Sequence, residues 1–578
     1  MVEVQLDLTD PQTHLVGVRL RCRPRLRRLR LDLPAWTPGS YLIRDYVRQL
    51  EQLSAEQNGQ SLSLERLGPA SWRLDPDPDG GKLEIRYQVM ATELSVRTCH
   101  MDAEHAFLAL AAVVLELEGE RWTPHRLRVS LPAGWSLFTP LVGDPEQGWW
   151  ARDLDQLLDS PLEAGPHQGH GFELAGVEHR WVTWAGVAGA DRWLLEQHPQ
   201  LLEDVRRVCR SCCQLMGVDR PAADRYLFIL HLLDEGYGGL EHDDSTVLVY
   251  GRRRLEQPDG YRRFLQLVAH EYLHQWNVRR LRPAELTPID YHRPTPVASL
   301  WFAEGVTSYL DQLLPLAAGL SSVEDLLHDL GDDLSRYLLT PGRRVQSLRS
   351  SAQEAWVKLY KADAYAADSQ VSYYLKGAVV ALCLDLHLRE RHSSLPQVLQ
   401  TLWRSHGAIG RGYSEQDLIA AFREASADLE SLLPTWLNGL DDPDLDGYLS
   451  TVGLKLEPTA ATTAWSGLTA APESGVLLAK RVWRQGPAEQ AGVMVGDELI
   501  GLDGERLRTA DDLSRGLRQG ESQELLVCRR SQLRRLTLTP QAPQVASYRL
   551  VALESVEPPV LHRREQWLRC APVAAAPC

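Results

Sequence analysis

The spacing of apolar residues changes twice along this chain, and these changes constrain its fold more than any other feature. Over residues 1–165, apolar and polar residues alternate in short runs separated by Gly, Pro and Asp, as in residues 2–8 and 83–90. This alternation predicts antiparallel strands with one buried face. From about residue 172 to 445, a few strands give way to long segments with a 3.6-residue period, which predict helices.

The pattern predicts a multidomain α+β protein, because 578 residues are too many for one core. Short strands return after residue 450, and a Gly/His/Pro-rich stretch with His167 and His170 is typical of a linker. We therefore expect an N-terminal antiparallel β domain over 1–168, an α+β middle domain with a helical lobe over 169–447, a C-terminal domain over 448–545, and a tail over 546–578.

Charge and hydropathy argue against two classes of partner. The formal net charge is −15, whereas a nucleic-acid-binding surface needs a basic face that displaces counterions. No apolar stretch approaches the roughly 18–20 residues that span a bilayer. We therefore expect neither a nucleic acid nor a membrane as partner.

The chain ends and cysteines indicate the compartment. The N-terminus, MVEVQLDLTD, lacks a cationic start followed by an apolar run, so no secretory signal is expected. The nine cysteines are odd in number and scattered, which favours a reduced, cytoplasmic protein. Cys209, Cys212 and Cys213 form a C-x-x-C-C pattern, and without a second ligand cluster we expect free thiols there.

A metal-binding pattern lies in the segment VAHEYLHQWN. His270 and His274 are four residues apart, so on a helix both imidazoles can reach one tetrahedral Zn²⁺, with Glu271 beside them. A motif with three fixed positions can arise by chance in a long chain. The apolar residues between 264 and 273 favour the functional interpretation, because they would bury this helix against a core.

A third ligand is predicted in SLWFAEGVTSYLDQL. Glu304 lies among Leu300, Trp301, Phe302 and Val306, on a predicted helix too apolar to bury a bare carboxylate. An unpaired buried ion would cost several kcal/mol, so Glu304 needs a cation, and zinc would supply it. The alternative is a surface glutamate in a salt bridge. Two histidines and one glutamate leave a fourth position open, which is typical of a catalytic zinc site.

A substrate-binding strand is predicted upstream, in FILHLLDEGYGGLEHDDS. Gly238 and Gly239 would let an extended peptide approach the backbone and pair with it. Glu241 follows directly, where a carboxylate can hold an ammonium group. The plain alternative is a turn with a surface glutamate.

Two tyrosines, Tyr373 and Tyr374, precede an apolar helix in DSQVSYYLKGAVVALCLDL. A phenol that reaches the site could donate a hydrogen bond to a developing oxyanion. A tyrosine at a helix start can equally be a packing residue.

Together these segments resemble the glycyl aminopeptidase family of zinc peptidases, within the thermolysin-like (gluzincin) group. The resemblance extends over nearly the whole chain. It rests on five motifs in order: WTPGSYLIRDY (36–46), GYGGLEH (236–242), HEYLHQWNV (270–278), WFAEG (301–305) and SYYLKG (372–377).

The resemblance implies that the middle domain is a thermolysin-like zinc metallopeptidase domain. One Zn²⁺ per chain would be bound by His270, His274 and Glu304, with Glu271 as general base. The substrates would be peptides with a free N-terminus, cleaved after a first residue that is preferably glycine or alanine.

Two further roles follow from the same resemblance. Glu241 is in register with the glutamate that holds the α-amine in related aminopeptidases. Tyr374 matches the oxyanion tyrosine, with Tyr373 as the alternative.

The C-terminal domain resembles a PDZ domain of the bacterial protease type, on the segment RQGPAEQAGVMVGDELIGLDGERL (484–507). Such domains bind a peptide C-terminus in a backbone amide loop. By register this loop is WSGL (465–468), so a peptide C-terminus is a possible partner.

Two other functions remain open. An endopeptidase would use the same chemistry with Glu241 as a structural residue, and blocking the substrate's α-amine would separate the two. A peptide-binding PDZ scaffold with a degenerate metallopeptidase domain is the third possibility, which metal analysis would test. The complete set of His270, Glu271, His274 and Glu304 argues against degeneracy.

Overall fold

The computed structural model describes residues 1–186 and 190–570, with the backbone alone for residues 190–192. It confirms the expected multidomain α+β architecture: an N-terminal β domain, a helix-rich middle domain and a C-terminal domain built on antiparallel strands.

The N-terminal domain consists mainly of short strands. They are β1 (Val2–Asp7), β2 (Leu15–Cys22), β3 (Leu29–Asp32), β4 (Leu50–Gln57), β5 (Gln60–Leu62), β6 (Glu65–Gly68), β7 (Ser71–Leu74), β8 (Leu83–Met90), β9 (Cys99–Met101), β10 (Ala106–Leu108), β11 (Glu116–Leu117), β12 (His125–Ser130), β13 (Ser136–Phe138), β14 (Val142–Asp144), β15 (Gly148–Ala151) and β16 (Leu162–Gly165), with helix α1 (Leu154–Leu158) before β16.

These strands form three sheets, with the orders β14-β15-β12-β1-β2-β8-β4-β5, β13-β16-β10-β9 and β11-β3-β7-β6. The pairs are antiparallel as predicted, except that β1 and β12 run parallel. In β1 and β8 the buried residues alternate with partly exposed ones, as the period of two requires.

The middle domain combines one sheet with a helical lobe. Its elements are β17 (Gly169–Leu174), β18 (Val177–Ala185), α2 (Ala190–Gln197), α3 (Leu201–Met216), β19 (Arg225–Leu233), β20 (Tyr237–Glu241), β21 (Ser245–Gly251), α4 (Arg252–Leu255), α5 (Gly260–Leu273), α6 (Val306–Ala317), α7 (Val323–Leu338), α8 (Leu348–Gln353), α9 (Tyr373–Glu390), α10 (Leu395–Ser405), α11 (Glu415–Ala425), α12 (Leu429–Asn438) and α13 (Leu445–Thr451). The sheet order is β17-β18-β19-β21-β20, so β20 is an edge strand. It runs antiparallel to β21.

Helix α9 is the central helix of the lobe. The expectation that no apolar stretch is long enough to span a bilayer is wrong for Ala366–Glu390, which passes by length and composition. However, 83% of the relevant window is buried inside the protein. Its apolar residues therefore contribute to the main core. Cys209, Cys212 and Cys213 on α3 are also buried there as free thiols, as expected.

The C-terminal part contains β22 (Leu454–Ala460), β23 (Leu468–Glu473), β24 (Val476–Val482), α14 (Pro487–Gln490), β25 (Glu498–Leu502), β26 (Glu505–Arg506), α15 (Ala510–Gly516), β27 (Gln523–Arg529), β28 (Gln532–Leu538), β29 (Val545–Ala552) and α16 (Pro558–Leu568). Strands β23 to β28 enclose a small core of their own. Strands β22 and β29 instead pair with each other, and Leu454 and Leu550 belong to the main core.

The prediction of a tail over 546–578 is wrong for most of its length. Residues 546–552 belong to β29, and residues 558–568 form α16. Trp567 on α16 is fully buried, and its Nε1 donates to the Tyr309 hydroxyl oxygen at 2.7 Å. The segment around Trp567, HRREQWLRC, has four charged residues out of nine, and its few apolar residues are too close together to give a periodic signal. Residues 571–578 lie outside the described residues.

The boundary predicted between residues 447 and 448 falls inside α13. The acidic run LDDPDLDG before it has the composition of a linker. Asp442 in this run nevertheless accepts hydrogen bonds from Tyr337 and Arg343, which attach it to the helical lobe. The separate core that begins at Leu468 gives a more natural start for the PDZ domain.

Candidate active site

The last turn of α5 presents the two predicted histidine ligands. His270 and Glu271 lie on this turn, and His274 is the residue that ends the helix. The imidazole rings of His270 and His274 are 4.6 Å apart between centroids. The apolar residues of α5, including Phe264 and Leu265, are buried in the core, as their spacing predicted.

Glu304 lies opposite, in a π-helical turn (Trp301–Gly305) that leads directly into α6. Its Oε2 is 3.2 Å from His274 Nε2 and 3.7 Å from His270 Nε2. Single π-helical turns often occur at functional sites. Here the turn is held against α9, where a Cβ on Gly305 would come within 2.5 Å of the Gly377 Cα. This close contact gives a physical reason for the glycines in WFAEG and SYYLKG.

In both imidazoles, Nδ1, the nitrogen that faces away from Glu304, has a hydrogen-bond acceptor. His270 Nδ1 lies 2.7 Å from Asp311 Oδ2, and His274 Nδ1 lies 2.6 Å from the Asn277 carbonyl oxygen. Such partners orient metal-ligating imidazoles and set their tautomer. The sequence interpretation did not include Asp311. Its position seven residues after Glu304, two helical turns further along the same face, is the signal that could have found it.

The charges around Glu304 fit a divalent cation. Burial alone would raise the pKa of Glu304, but His274 and His270 lower it to about 2, so the carboxylate is ionised. It is 2% exposed. Two oriented imidazoles and a buried anion that face one another match the three protein ligands of a catalytic zinc site.

Two more carboxylates lie beside this set. Glu271 and Glu241 are each 4% exposed, and among the described residues Glu271 Oε2 and Glu241 Oε1 have no hydrogen-bond partner. Burial raises the pKa of Glu271 to about 7, although His270 and His274 oppose this shift. Ligand atoms of Glu241, Glu271 and His274 lie within 4.8 Å of one another. The site can therefore accept a cationic group of a substrate.

The predicted substrate strand is the edge strand β20. Gly238 and Gly239 lie on it, and Glu241 is its last residue. A Cβ on Gly239 would come within 2.2 Å of Glu271 Oε1, so the strand backbone lies directly against Glu271. His242, the next residue, points away from the site, with its Nδ1 3.1 Å from Asp159 Oδ1.

The N-terminal domain also reaches the site, through the loop that carries Gly39. A Cβ on Gly39 would lie 2.6 Å from Glu241 Oε2, and the backbone has φ +84°. Glycine is therefore required both by the space and by the conformation. Gly39 lies in the WTPGSYLIRDY motif, but its spacing in the sequence does not reveal this contact.

Of the two tyrosines, Tyr374 lines the cleft. Its hydroxyl is 3.2 Å from the hydroxyl of Tyr360, a residue that the sequence analysis did not identify. Tyr373 is fully buried and stacks on Tyr374. The cleft has a volume of about 560 Å³ and is also lined by His270, Glu271, Glu304 and Glu241.

Comparison with known families agrees with these features. Residues 3–166 match the Peptidase M61 N-terminal domain, residues 263–380 match the M61 glycyl aminopeptidase domain, and residues 479–530 match a PDZ domain. The resemblance stated from the motifs, including the PDZ domain, is thus confirmed.

Solved structures give a similar result. The chain superposes on a crystal structure of an aminopeptidase N family protein from Idiomarina loihiensis with a TM-score of 0.90 and 28% identity, covering 98% of this chain and 100% of that one. Legionella pneumophila aminopeptidase A in complex with aspartic acid matches at TM-score 0.48 and 15% identity, covering 80% and 50% of the two chains. No curated protein matches with significance.

Taken together, the family matches and the full-length structural similarity identify a peptidase, a hydrolase of peptide bonds.

Proposed function

We propose that this peptidase is a zinc-dependent aminopeptidase that removes N-terminal glycine or alanine from peptides. The observation that carries the proposal is the buried carboxylate of Glu241. It ends the edge strand beside Glu271, and one of its oxygens has no partner among the described residues. A free α-ammonium group is the cation that a peptide substrate would bring to this position.

The edge strand β20 is where the substrate would pair, although the Gly239 carbonyl oxygen already accepts a weak hydrogen bond from Arg97 at 3.4 Å. A peptide added alongside Gly238 and Gly239 would form backbone hydrogen bonds as an extra strand. Its first residue would then lie beside Glu241, so the ammonium group fixes the chain end and thereby the bond to be cleaved. The scissile carbonyl would face His270, His274 and Glu304.

These three side chains would hold the zinc ion, which when bound acts as a Lewis acid on a carbonyl oxygen and on water. Glu271 would accept a proton from the attacking water and donate it to the leaving amine. A pKa near neutrality suits both steps, because the group must take up and release the proton in one cycle. Tyr374, whose side chain lines the cleft, would donate a hydrogen bond to the developing oxyanion.

A small first residue is favoured by the family resemblance and by the contact of the Gly39 loop with Glu241. Because a single added methyl group at Gly39 would already overlap the Glu241 carboxylate, the space beside the amine position is narrow on that side. Glycine and alanine place the least volume there.

The decisive experiment compares free and blocked amines. A contact between an ammonium group and a buried carboxylate is worth on the order of 2–5 kcal/mol. Glu241→Gln should therefore lower kcat/KM for glycyl and alanyl reporter substrates by roughly 30-fold to several thousand-fold. Zinc content should remain as in the wild type, because Glu241 is not among the proposed ligands. Glu235→Gln, at an exposed position just before the same strand, is the matched control.

N-acetylated peptides distinguish the aminopeptidase from an endopeptidase. The wild type should turn them over poorly, since a blocked amine carries no charge. If it cleaves acetylated peptides at internal bonds as readily as it releases free N-terminal glycine, the aminopeptidase proposal fails while the peptidase assignment stands.

The PDZ domain would bind a peptide C-terminus. Strand β23 is an edge strand and α15 contacts it, so an added peptide strand could pair between them. The WSGL loop at residues 465–468 leads into β23 and would receive the carboxylate. Calorimetric titration with C-terminal peptides should detect binding that amidation of the carboxylate abolishes. Equal affinity for both forms would contradict this role.

A further inference from the structure

A second cluster of histidines and a carboxylate lies where the N-terminal domain meets the middle domain. Glu163 lies on β16 of the N-terminal domain, and His105 directly precedes β10, its neighbour in the same sheet. His231 comes from β19 in the middle domain. His167 follows β16 in the segment that the sequence predicted to be a linker. Glu163, His105 and His231 are fully buried, and the side chain of His167 is 7% exposed.

Three imidazoles converge on the one carboxylate. His231 Nε2 is 2.8 Å from Glu163 Oε2, while His105 Nδ1 and His167 Nε2 lie 3.0 and 3.2 Å from Oε1. Ligand atoms of His105, Glu163 and His231 are all within 4.8 Å of one another, a criterion that the active-site ligands also meet. His167 lies outside this set, so it would become a fourth ligand only if its ring moved toward the other two. A Cβ on Gly165 would lie 2.6 Å from the His167 ring, so this glycine makes room for the imidazole.

The cluster contains a buried negative charge without a permanent cation. Glu163 is fully buried, and an ionised carboxylate there is stable only with a positive charge beside it. Among the described side chains, Glu163 forms ion-pair contacts with histidines alone and with no Arg or Lys. The positive charge must therefore come from a proton on an imidazole or from a bound cation.

A proton on one of the imidazoles is the alternative to a bound cation. His105 Nε2 and His231 Nδ1 are buried and have no hydrogen-bond partner within the described part of the chain. In a neutral ring the one N–H can donate to Glu163. Protonating either ring would add an N–H on the other nitrogen, where no acceptor is present, at a cost of about 1–3 kcal/mol. Binding a metal through the nitrogens that face Glu163 also puts the ring proton on these two outer nitrogens, so this cost is the same for a proton and for a metal ion. A single divalent cation, however, can contact His105, His231 and the carboxylate at once, which one proton cannot do.

We propose that Glu163, His105, His231 and His167 form a second zinc site that joins the N-terminal domain to the middle domain. Three imidazole nitrogens and one carboxylate oxygen suit tetrahedral Zn²⁺. Four protein ligands leave no open position, so this metal is structural. It contributes no ligand to the active site, and its presence does not depend on the proposed function.

Metal stoichiometry tests the proposal. Metal-free protein is reconstituted with Zn²⁺, freed of excess metal and analysed by mass spectrometry, with circular dichroism as the check on folding. Wild type should hold about two ions per chain, and Glu304→Gln, which disables the active-site set, about one. Glu163→Gln combined with Glu304→Gln should hold almost none. Glu173→Gln in the same background, at an exposed glutamate on β17, should still hold about one.

Thermal unfolding gives a second measurement that does not count ions. Added Zn²⁺ should raise the Tm of Glu304→Gln by several degrees, because a ligand that binds the folded state stabilises it. If Glu163→Gln does not fold, His167→Gln in the Glu304→Gln background replaces it, since His167 lies in a loop at the edge of the cluster. That variant should bind zinc at least about tenfold more weakly.

The proposal is overturned if folded wild-type protein holds one ion and Glu304→Gln none. It is equally overturned if Glu304→Gln keeps its ion with unchanged affinity after Glu163 or His167 is replaced.

Discussion

Two groups of buried histidines around a glutamate can be compared within this one chain. The active-site group is His270, His274 and Glu304, and the junction group is His105, His167, His231 and Glu163. In both, imidazole nitrogens lie within about 4 Å of a carboxylate oxygen that is almost fully buried.

Their surroundings differ in two respects. The active-site imidazoles are oriented by Asp311 and the Asn277 carbonyl, and the group opens into a cleft. The junction group is enclosed between two domains, and His105 stacks on Trp184 with 3.7 Å between ring centroids instead of donating outward. The same types of ligand can therefore support catalysis at one site and hold two domains together at another. The two groups differ in whether a substrate can reach them. They also differ in whether the imidazole nitrogens that face away from the carboxylate have a hydrogen-bond acceptor.

The largest expected effect concerns the base that only the active-site group possesses. Glu271→Gln keeps the size of the side chain but cannot accept a proton, so turnover of a glycyl reporter should fall by roughly two to four orders of magnitude. Metal content should stay as in the wild type. Steady-state kinetics and metal analysis on one preparation check both. Near-normal turnover with metal bound would show that Glu271 is not the feature that makes the active-site group catalytic.

A smaller effect is expected from the orienting carboxylate. Asp311→Asn weakens the contact with His270 Nδ1, so affinity for zinc at the active site should fall about 10- to 100-fold. The matched change at the junction is Trp184→Phe, which retains an aromatic ring over His105 and removes no hydrogen-bond partner of the ligands. Competition with a chelator measures both variants. Equal losses of affinity would contradict the view that orientation separates the groups.

The smallest expected effect concerns the contact between the N-terminal domain and the active site. Gly39→Ala should lower kcat/KM for free-amine substrates by about tenfold, since the added methyl group displaces the Glu241 carboxylate. Gly59→Ala is the control, because Gly59 has φ +74° but nothing within 4 Å of an added Cβ. Gly59→Ala therefore introduces the backbone strain of a positive φ without a steric overlap of the added methyl group. If both variants lose activity equally, strain rather than contact with Glu241 explains the result.

The comparison also shows which parts of the molecule the sequence could predict. His270, Glu271 and His274 are neighbours on one helix, so local spacing reveals them. Glu304 is recognisable because an ionised side chain in an apolar helix requires a partner. The alternation of apolar residues similarly predicted the strands of the N-terminal domain.

The junction group had no comparable local signal. Glu163 is 58 residues from His105 and 68 from His231, and they meet because β10 pairs with β16 and the N-terminal domain packs against β19. The contact of Gly39 with Glu241 likewise joins different domains. Long-range packing of this kind depends on how complete domains fit together, which residue spacing does not encode.

The return of the chain after the PDZ domain has a consequence for synthesis. Strand β29 pairs with β22, and Trp567 on α16 is buried beside α6 and α9 of the middle domain. In the sequence, the PDZ domain therefore lies between two strands that pair with each other and contribute to the main core. A ribosome makes Trp567 only after the PDZ domain, so the N-terminal and PDZ domains can fold during translation while the middle domain still lacks part of its interior. The active site therefore belongs to a domain that is complete only after the PDZ domain has been made.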